Sequence, residues 1–295
     1  MNKTKSVFFR FFFALFVISL AACGGGGSSS GSGLSDSGDS GSSGSGSSGS
    51  GSIGSDGGTG SNAVTCDGAA VLHDAFLDFG DNVEVVLDSA NCSVAIEATG
   101  KPDHSSPYWD PNGSNAHLYE EPGPETDVSQ MSPGYIDGFG TQLFAMTVST
   151  NPELASNTTA TSLGAIGIAV SGSPIFNDQE GPNVDLALGV ISGFDKNGAH
   201  TGPSTYHYHL EPISISDDDY ELIGIMADGF FIYGRKDYPT ADYPTDLDDS
   251  GGHVGVTQHS AEPEYHYHIK NETYAGSYYL LFPEDYQGTP VNISN

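Results

Sequence analysis

Two short segments, Tyr206-His207-Tyr208-His209 and Tyr265-His266-Tyr267-His268, carry the most direct chemical information in this chain. Side chains on a strand alternate between faces, so His207 and His209 share one face and Tyr206 and Tyr208 the other. The same holds for His266 and His268 against Tyr265 and Tyr267. Two imidazoles at i and i+2 can converge on one ion, and neutral imidazole suits zinc, copper, iron and nickel. Each pair is preceded by a further histidine, His200 or His253, and by an acid, Asp195 or Asp248. Three histidines and one carboxylate suffice for a four- or five-coordinate ion. An acid that does not ligate is expected to orient a ligating ring. His104, beside Asp103, is a further candidate ligand. His73, His117 and His259 fall outside the pattern and are expected to be incidental. The residues alone leave open two symmetric three-histidine sites or one shared four-histidine site.

These elements belong to an internal duplication. The segment Ile166-Gly167-Ile168-Ala169-Val170-Ser171-Gly172-Ser173-Pro174-Ile175-Phe176 aligns without a gap on Ile223-Gly224-Ile225-Met226-Ala227-Asp228-Gly229-Phe230-Phe231-Ile232-Tyr233. Downstream, the stretch from Phe194 to His200 corresponds to that from Leu247 to His253, and the two Tyr-His-Tyr-His segments follow. Six of the ten histidines fall in the repeated elements, which chance placement would not produce. Each repeat, about 164–211 and 222–270, reads as a β unit that cannot bury its apolar face alone. The two are therefore expected to pack with approximate symmetry in a single domain, their Tyr-His-Tyr-His strands facing one another.

The elements that must position these side chains are strands. No long stretch has apolar residues at helical spacing. Short apolar runs bounded by turn residues recur instead, at 83–87, 93–98, 142–149, 165–170, 205–210, 222–227, 264–269 and 277–282. The expected class is all-β or mainly β, a sandwich or an irregular barrel.

The N-terminus reads as an export signal. Lys3, Lys5 and Arg10 precede a ten-residue apolar run in which Ser19 is the one polar residue, and Leu20-Ala21-Ala22-Cys23 follows. The run is too short to span a bilayer, which needs ~20 apolar residues. The Leu-Ala-Ala-Cys end resembles a bacterial lipobox, which implies cleavage before Cys23 and a lipid on its thiol. Gly24 rather than Asp after the cysteine implies the outer membrane. Residues 24–62 are nearly all Gly and Ser and cannot bury enough apolar surface to fold. They are expected to be a flexible tether with a mean span of roughly 30–35 Å, leaving 63–295 as the folded domain, with its core at about 98–285.

Three of the eight basic residues fall in the leader and none of the 38 acids does, so the chain beyond it carries a formal charge of −33. That charge argues against nucleic acid and against anionic headgroups as partners, and leaves the lipid as the expected contact with the membrane. Cys66 and Cys92 meet an oxidising compartment after export and are expected to pair. Their pairing leaves no thiolate for a site, so copper(II) or zinc is expected rather than copper(I).

Taken together, the segments resemble the YHYH domain proteins, over roughly residues 98–282. The stretch from Leu163 to Phe176 is similar to one family element and that from Ile223 to Gly234 to another. Gly100-Lys101-Pro102-Asp103-His104 is similar to a third, and the two Tyr-His-Tyr-His segments complete the match. The resemblance implies the fold and export and suggests a metal. The family pattern carries cysteines before its Gly-His pairs. Here those stretches read Asp195-Lys196-Asn197-Gly198-Ala199-His200 and Asp248-Asp249-Ser250-Gly251-Gly252-His253. If the family's cysteines ligate, this chain has a His/Asp-only site; if they pair, a Cys66–Cys92 bridge replaces them or the chain does without.

The chain contains no phosphate loop, dinucleotide fingerprint or H-E-x-x-H, and Ser171-Gly172-Ser173 lacks the frame of a nucleophile elbow. Its Asp-Gly turns lack the full calcium-loop pattern. No catalytic residue can be assigned. The expected function is that of an exported, lipid-anchored metal-binding protein. Two alternatives are a metalloenzyme, oxidase or hydrolase, using the same histidines, and a cell-surface adhesion or glycan-binding module in which the histidines are structural.

Overall fold

The computed structural model describes residues 70–140 and 142–295. The expected leader, Cys23, the Gly/Ser segment and Cys66 lie outside these residues. All described residues fall in one compact unit, Gly60–Asn295. Among them no helix is long and apolar enough to cross a membrane.

In chain order the strands are β1 (Val83–Asp88), β2 (Ser93–Ala98), β3 (Phe144–Ser149), β4 (Leu154–Thr159), β5 (Gly167–Ala169), β6 (Pro174–Ile175), β7 (Gln179–Glu180), β8 (Val184–Asp185), β9 (Ala199–His200), β10 (His207–Tyr208), β11 (Leu222–Met226), β12 (Phe231–Tyr233), β13 (Gly252–Gly255), β14 (Glu264–His268) and β15 (Tyr286–Gly288). One four-residue α-helix, Leu188–Ile191, lies between β8 and β9. The expected strand at 277–282 does not form. Positive φ angles at Ala275 and Gly276 turn the chain, and only isolated bridges, Tyr274 to Tyr278 and Leu210 to Leu280, remain.

An eight-stranded sheet in the order β13-β14-β12-β11-β5-β6-β10-β9 dominates the fold. It ends in two edges, so the domain is no barrel. A three-stranded antiparallel sheet, β1-β2-β3, packs against it as the second layer. The alternation of β2 and β3 turns Val94, Ile96, Phe144, Met146 and Val148 inward, onto Ile168, Leu222, Ile225 and Phe231 of the large sheet. The central strands β5 and β11 are buried at every position, as expected of strands covered on both faces. On the opposite face Tyr208 and Tyr267 join Trp109, Ile166, Ile175, Ile223, Ile232 and Phe282 in the largest apolar cluster.

The duplication is laid out symmetrically in the large sheet. Strands β5 and β11 pair antiparallel at its centre, with Ile168 opposite Ile225, its own counterpart in the repeat, and Gly167 and Ala169 opposite Met226 and Gly224. Outward from that pair, each half adds its strands in the same order and sense. The Tyr-His-Tyr-His strand lies parallel to its inner neighbour (β10 on β6, β14 on β12). It lies antiparallel to the edge strand that carries the third histidine (β10 on β9, β14 on β13). The two Tyr-His-Tyr-His strands therefore do not face each other, contrary to the expectation. Four strands separate them, because the halves join through their Ile-Gly-Ile strands.

Glycine is required at that junction. A Cβ on Gly224 would stand 2.3 Å from the Ile168 carbonyl oxygen and 2.8 Å from Ala169 Cα, and one on Gly167 would stand 2.8 Å from the Ile225 carbonyl oxygen. These are backbone atoms of paired strands and cannot step aside. Gly224→Ala is expected to cost about 1–3 kcal/mol by overpacking, read as a lower urea midpoint. Gly189→Ala, where a Cβ meets nothing within 4 Å, should leave the midpoint unchanged or raise it slightly.

Candidate metal centres

Each Tyr-His-Tyr-His strand sends its histidines to the face that receives the small sheet and its tyrosines into the apolar cluster opposite. In the first half, His207 stands directly opposite His200 on the neighbouring strand. In the second, His266 stands opposite His253. The third ring of each set, His209 or His268, follows two residues on. All six rings are buried.

Backbone carbonyls decide which ring nitrogen faces inward. Nδ1 of His207 meets the Thr205 carbonyl at 3.1 Å, and Nδ1 of His209 that of Asn177 at 2.6 Å. In the second half Nδ1 of His266 meets Glu264 O at 2.9 Å, and Nδ1 of His268 meets Gly234 O at 2.7 Å. A carbonyl only accepts, so these Nδ1 atoms carry the protons and the Nε2 lone pairs are free. Those lone pairs converge. His200 Nε2 lies 3.0 Å from His207 Nε2 and 3.0 Å from Glu180 Oε1, and His209 Nε2 lies 3.4 Å from the same oxygen. His253 Nε2 lies 3.3 Å from His266 Nε2 and 3.1 Å from Asp237 Oδ1, and His268 Nε2 lies 3.3 Å from that oxygen. In each set all four atoms fall within 4.8 Å of one another.

The arrangement fits a cation. Buried polar groups normally have hydrogen-bond partners, yet Nε2 of His209, Nε2 of His268 and Oε1 of Glu180 have none. An ion about 2.0–2.1 Å from each of four tetrahedral ligands sets them about 3.3–3.4 Å apart, close to the separations above. Electrostatics prepares both sets. Burial pushes His207 well below its ordinary value, with His209 and His200 adding to the effect. It brings His266 down to about 3 and lowers His200. Burial opposes ionisation of Glu180, but the close approach of His200 and His209 outweighs it and holds the carboxyl well below its usual range. Asp237 is held low in the same way, against burial, chiefly by His268 and the other two rings. Burial thus favours the neutral, ligating form of His200, His207 and His266, beside a carboxylate held in its ionised form, which is the direction a divalent ion needs.

The carboxylates correct the expectation. Glu180 and Asp237, not Asp195 and Asp248, complete the sets. Extending the gapless alignment of the two Ile-Gly-Ile segments at its 57-residue offset pairs Asn177 with Gly234 and Glu180 with Asp237. That signal was present in the sequence, but the similarity of side chains stops at Phe176 and Tyr233.

Asp195 and Asp248 belong to the tyrosine side. The Tyr206 hydroxyl donates to Asp195 at 2.7 Å, and Ser106 Oγ donates to the same oxygen at 2.5 Å. The Tyr265 hydroxyl donates to Asp248 at 2.9 Å. Each Asp also accepts from backbone N–H groups of its own turn, Asn197 for the first and Ser250 and Gly252 for the second. Neither orients a histidine ring. That role falls to the carbonyls above, to Ser132 behind His200 and to Asp246 behind His253. His104 also lies on the tyrosine face. Its Nε2 meets the Tyr208 hydroxyl at 2.6 Å, so it is no ligand of either set. Tyr208 also bonds Ser171, and Tyr267 donates to Asp228, the residue aligned with Ser171. Of the histidines outside the repeat, His73 pairs with Glu264 and His259 with Asp78.

Burial pushes the Asp195 carboxyl up to about 6, against the hydrogen bonds from Ser106 and Tyr206. A group raised on folding favours the folded state below its unfolded value near 4 and loses that contribution as pH rises through 6. Asp195→Asn removes the titration. Between pH 4 and pH 7 the variant should gain about 2 kcal/mol on the parent, measured by urea unfolding at each pH. A constant difference would contradict the assignment.

Residues 145–246 match the family model described as YHYH protein. The matched region holds the first Tyr-His-Tyr-His segment, both Ile-Gly-Ile segments, Glu180 and Asp237. The second Tyr-His-Tyr-His segment and the stretch from Gly100 to His104 lie outside it. The chain matches no curated protein and no solved structure.

Proposed function

We propose, from the place of residues 145–246 in the YHYH protein family and from the two clusters, that this is a metal-binding protein holding one divalent ion in each half. The observation that carries the reading is the convergence of three buried imidazole Nε2 atoms and one carboxylate oxygen, twice, with hydrogen-bonding capacity left unmet. His200, His207, His209 and Glu180 hold one ion; His253, His266, His268 and Asp237 hold the other. The near-tetrahedral spacing and the N/O ligand set favour zinc, with copper(II) second, since copper(II) prefers a tetragonal arrangement. Ion and fold are coupled, because each set draws on three or more strands or loops that the bound ion would tie together.

Elemental analysis of the chain, purified without added histidines, should give two equivalents of metal. His207→Ala/His209→Ala should lose one equivalent and keep the other. Full metal content in that folded variant would sink the reading for the first set.

The lipobox-like segment extends the proposal to an exported protein tethered to the outer membrane through Cys23, with the Gly/Ser segment as spacer. Cys23→Ser should then move the chain from the membrane fraction to the soluble one. Unchanged fractionation would remove the anchor from the reading.

A metalloenzyme is the second reading, and one observation favours it. The rings are buried, whereas the side chains of Glu180 and Asp237 are 30% and 24% exposed. A carboxylate at the solvent side is the ligand a substrate or water would displace, leaving three histidines on the ion.

A further inference from the structure

The two clusters are alike in their ligands but not in what stands behind them. His200 Nδ1 meets the neutral hydroxyl of Ser132 at 2.9 Å. In the second half His253 Nδ1 meets the carboxylate of Asp246, also at 2.9 Å. No carboxylate is bonded behind His200 among the described residues. The surrounding walls differ as well. In the first half Phe176 stacks on His207 with centroids 3.9 Å apart, and Phe194 lies parallel to His209 at 5.5 Å. In the second, the residue aligned with Phe176 is Tyr233. Its ring meets His266 edge-on at 5.3 Å, and its hydroxyl bonds His259, which is paired with Asp78.

A carboxylate accepting the outer N–H of a ligating imidazole fixes the ring and raises its basicity, and its loss typically costs 10–100-fold in metal affinity. Charge works in the same direction. A divalent ion with Glu180 leaves a set with one net positive charge; Asp178 lies near His209, but its carboxylate is hydrogen-bonded to none of the three rings among the described residues. An ion with Asp237 and Asp246 is neutralised. Burying an uncompensated charge is costly, and the phenylalanine walls of the first set offer it no dipoles.

Building on the metal-binding reading, we infer that the sites are inequivalent: the His253–His266–His268–Asp237 site binds zinc more tightly and fills first, and Asp246 sets the difference. The tight site stays loaded and holds its half together. The first site, at Glu180, is the one that exchanges its ion with the surroundings. This division suits a protein that keeps one metal for structure and offers the other for transfer or chemistry.

The test is a zinc titration of the metal-stripped full-length chain against a chromophoric chelator. Two steps at least about tenfold apart are expected. His266→Ala/His268→Ala should abolish the tighter step, and His207→Ala/His209→Ala the weaker one, so either variant suffices if the other fails to fold. Asp246→Asn should weaken the tighter step by about tenfold. That is the low end of the usual 10–100-fold range, because the Asp246 side chain is 72% exposed and water screens it. Ser132→Ala should leave both steps within about threefold. A tighter step that survives in His266→Ala/His268→Ala, or two steps untouched by Asp246→Asn, would overturn the inference and leave metal binding standing. A chain that takes up no zinc at either step would remove the metal-binding reading, and this inference with it.

Discussion

Everything in this structure depends on which face of its strand each residue of Tyr-His-Tyr-His occupies. A slip of one residue in either strand would exchange the faces. It would put imidazoles into the apolar cluster and phenols over the carboxylate. What prevents the slip is the set of hydroxyl acceptors on the tyrosine side. Tyr206 and Tyr265 reach Asp195 and Asp248, and Tyr208 and Tyr267 reach Ser171 and Asp228. A buried hydroxyl without a partner is costly, so the bonds of the buried Tyr206, Tyr208 and Tyr267 hold the register that aims the histidines. The Asp-Gly turns and the histidine sets are two sides of one device, although the aspartates never touch a ligating ring.

On the other face the same logic runs through the backbone. Carbonyls of Thr205, Asn177, Glu264 and Gly234 each take an Nδ1 proton, which settles tautomer and ring orientation together. Burial then favours the neutral form of His200, His207 and His266, and Glu180 and Asp237 are held toward the ionised form. The outcome is two clusters of three histidines and one carboxylate, each able to hold an ion, in a strongly acidic chain whose field attracts cations.

Duplication explains the architecture, and divergence explains the chemistry. The pairing of Ile168 with its own counterpart Ile225 puts the two halves in one continuous sheet and their histidines near its opposite ends. Two-site geometry follows directly. The halves differ at aligned positions around the clusters, Gly193 against Asp246 and Phe176 against Tyr233, and Ser132, from outside the repeat, stands behind His200 where Asp246 stands behind His253, while the histidines and the carbonyls that orient them are retained.

The amino-acid sequence by itself determined the β class, the repeat, the three histidines of each half and the face shared by each His-x-His pair. All of these follow from local periodicity and from residue types that recur at matched positions. The strands at 83–87, 93–98 and 222–227 were legible because alternating or unbroken apolar runs there are bounded by turn residues. The run at 277–282 looked the same, but the turn at Ala275 and Gly276 and its packing over Leu210 kept it from pairing. Only the tertiary structure decided that the histidines form two separated clusters rather than a shared one. That depends on which strands meet at the centre of the sheet, and close approach at Gly167 and Gly224 makes it the Ile-Gly-Ile strands. It also decided which carboxylate joins each cluster. Asp195 and Asp248 stood in the conspicuous motif, yet alternation and the need of buried tyrosines for acceptors drew them to the opposite face. Glu180 and Asp237 come from segments whose side chains share no visible pattern. They join the histidine clusters because the backbone brings them there, and a carboxylate's surroundings are set by what it faces rather than by the motif beside it.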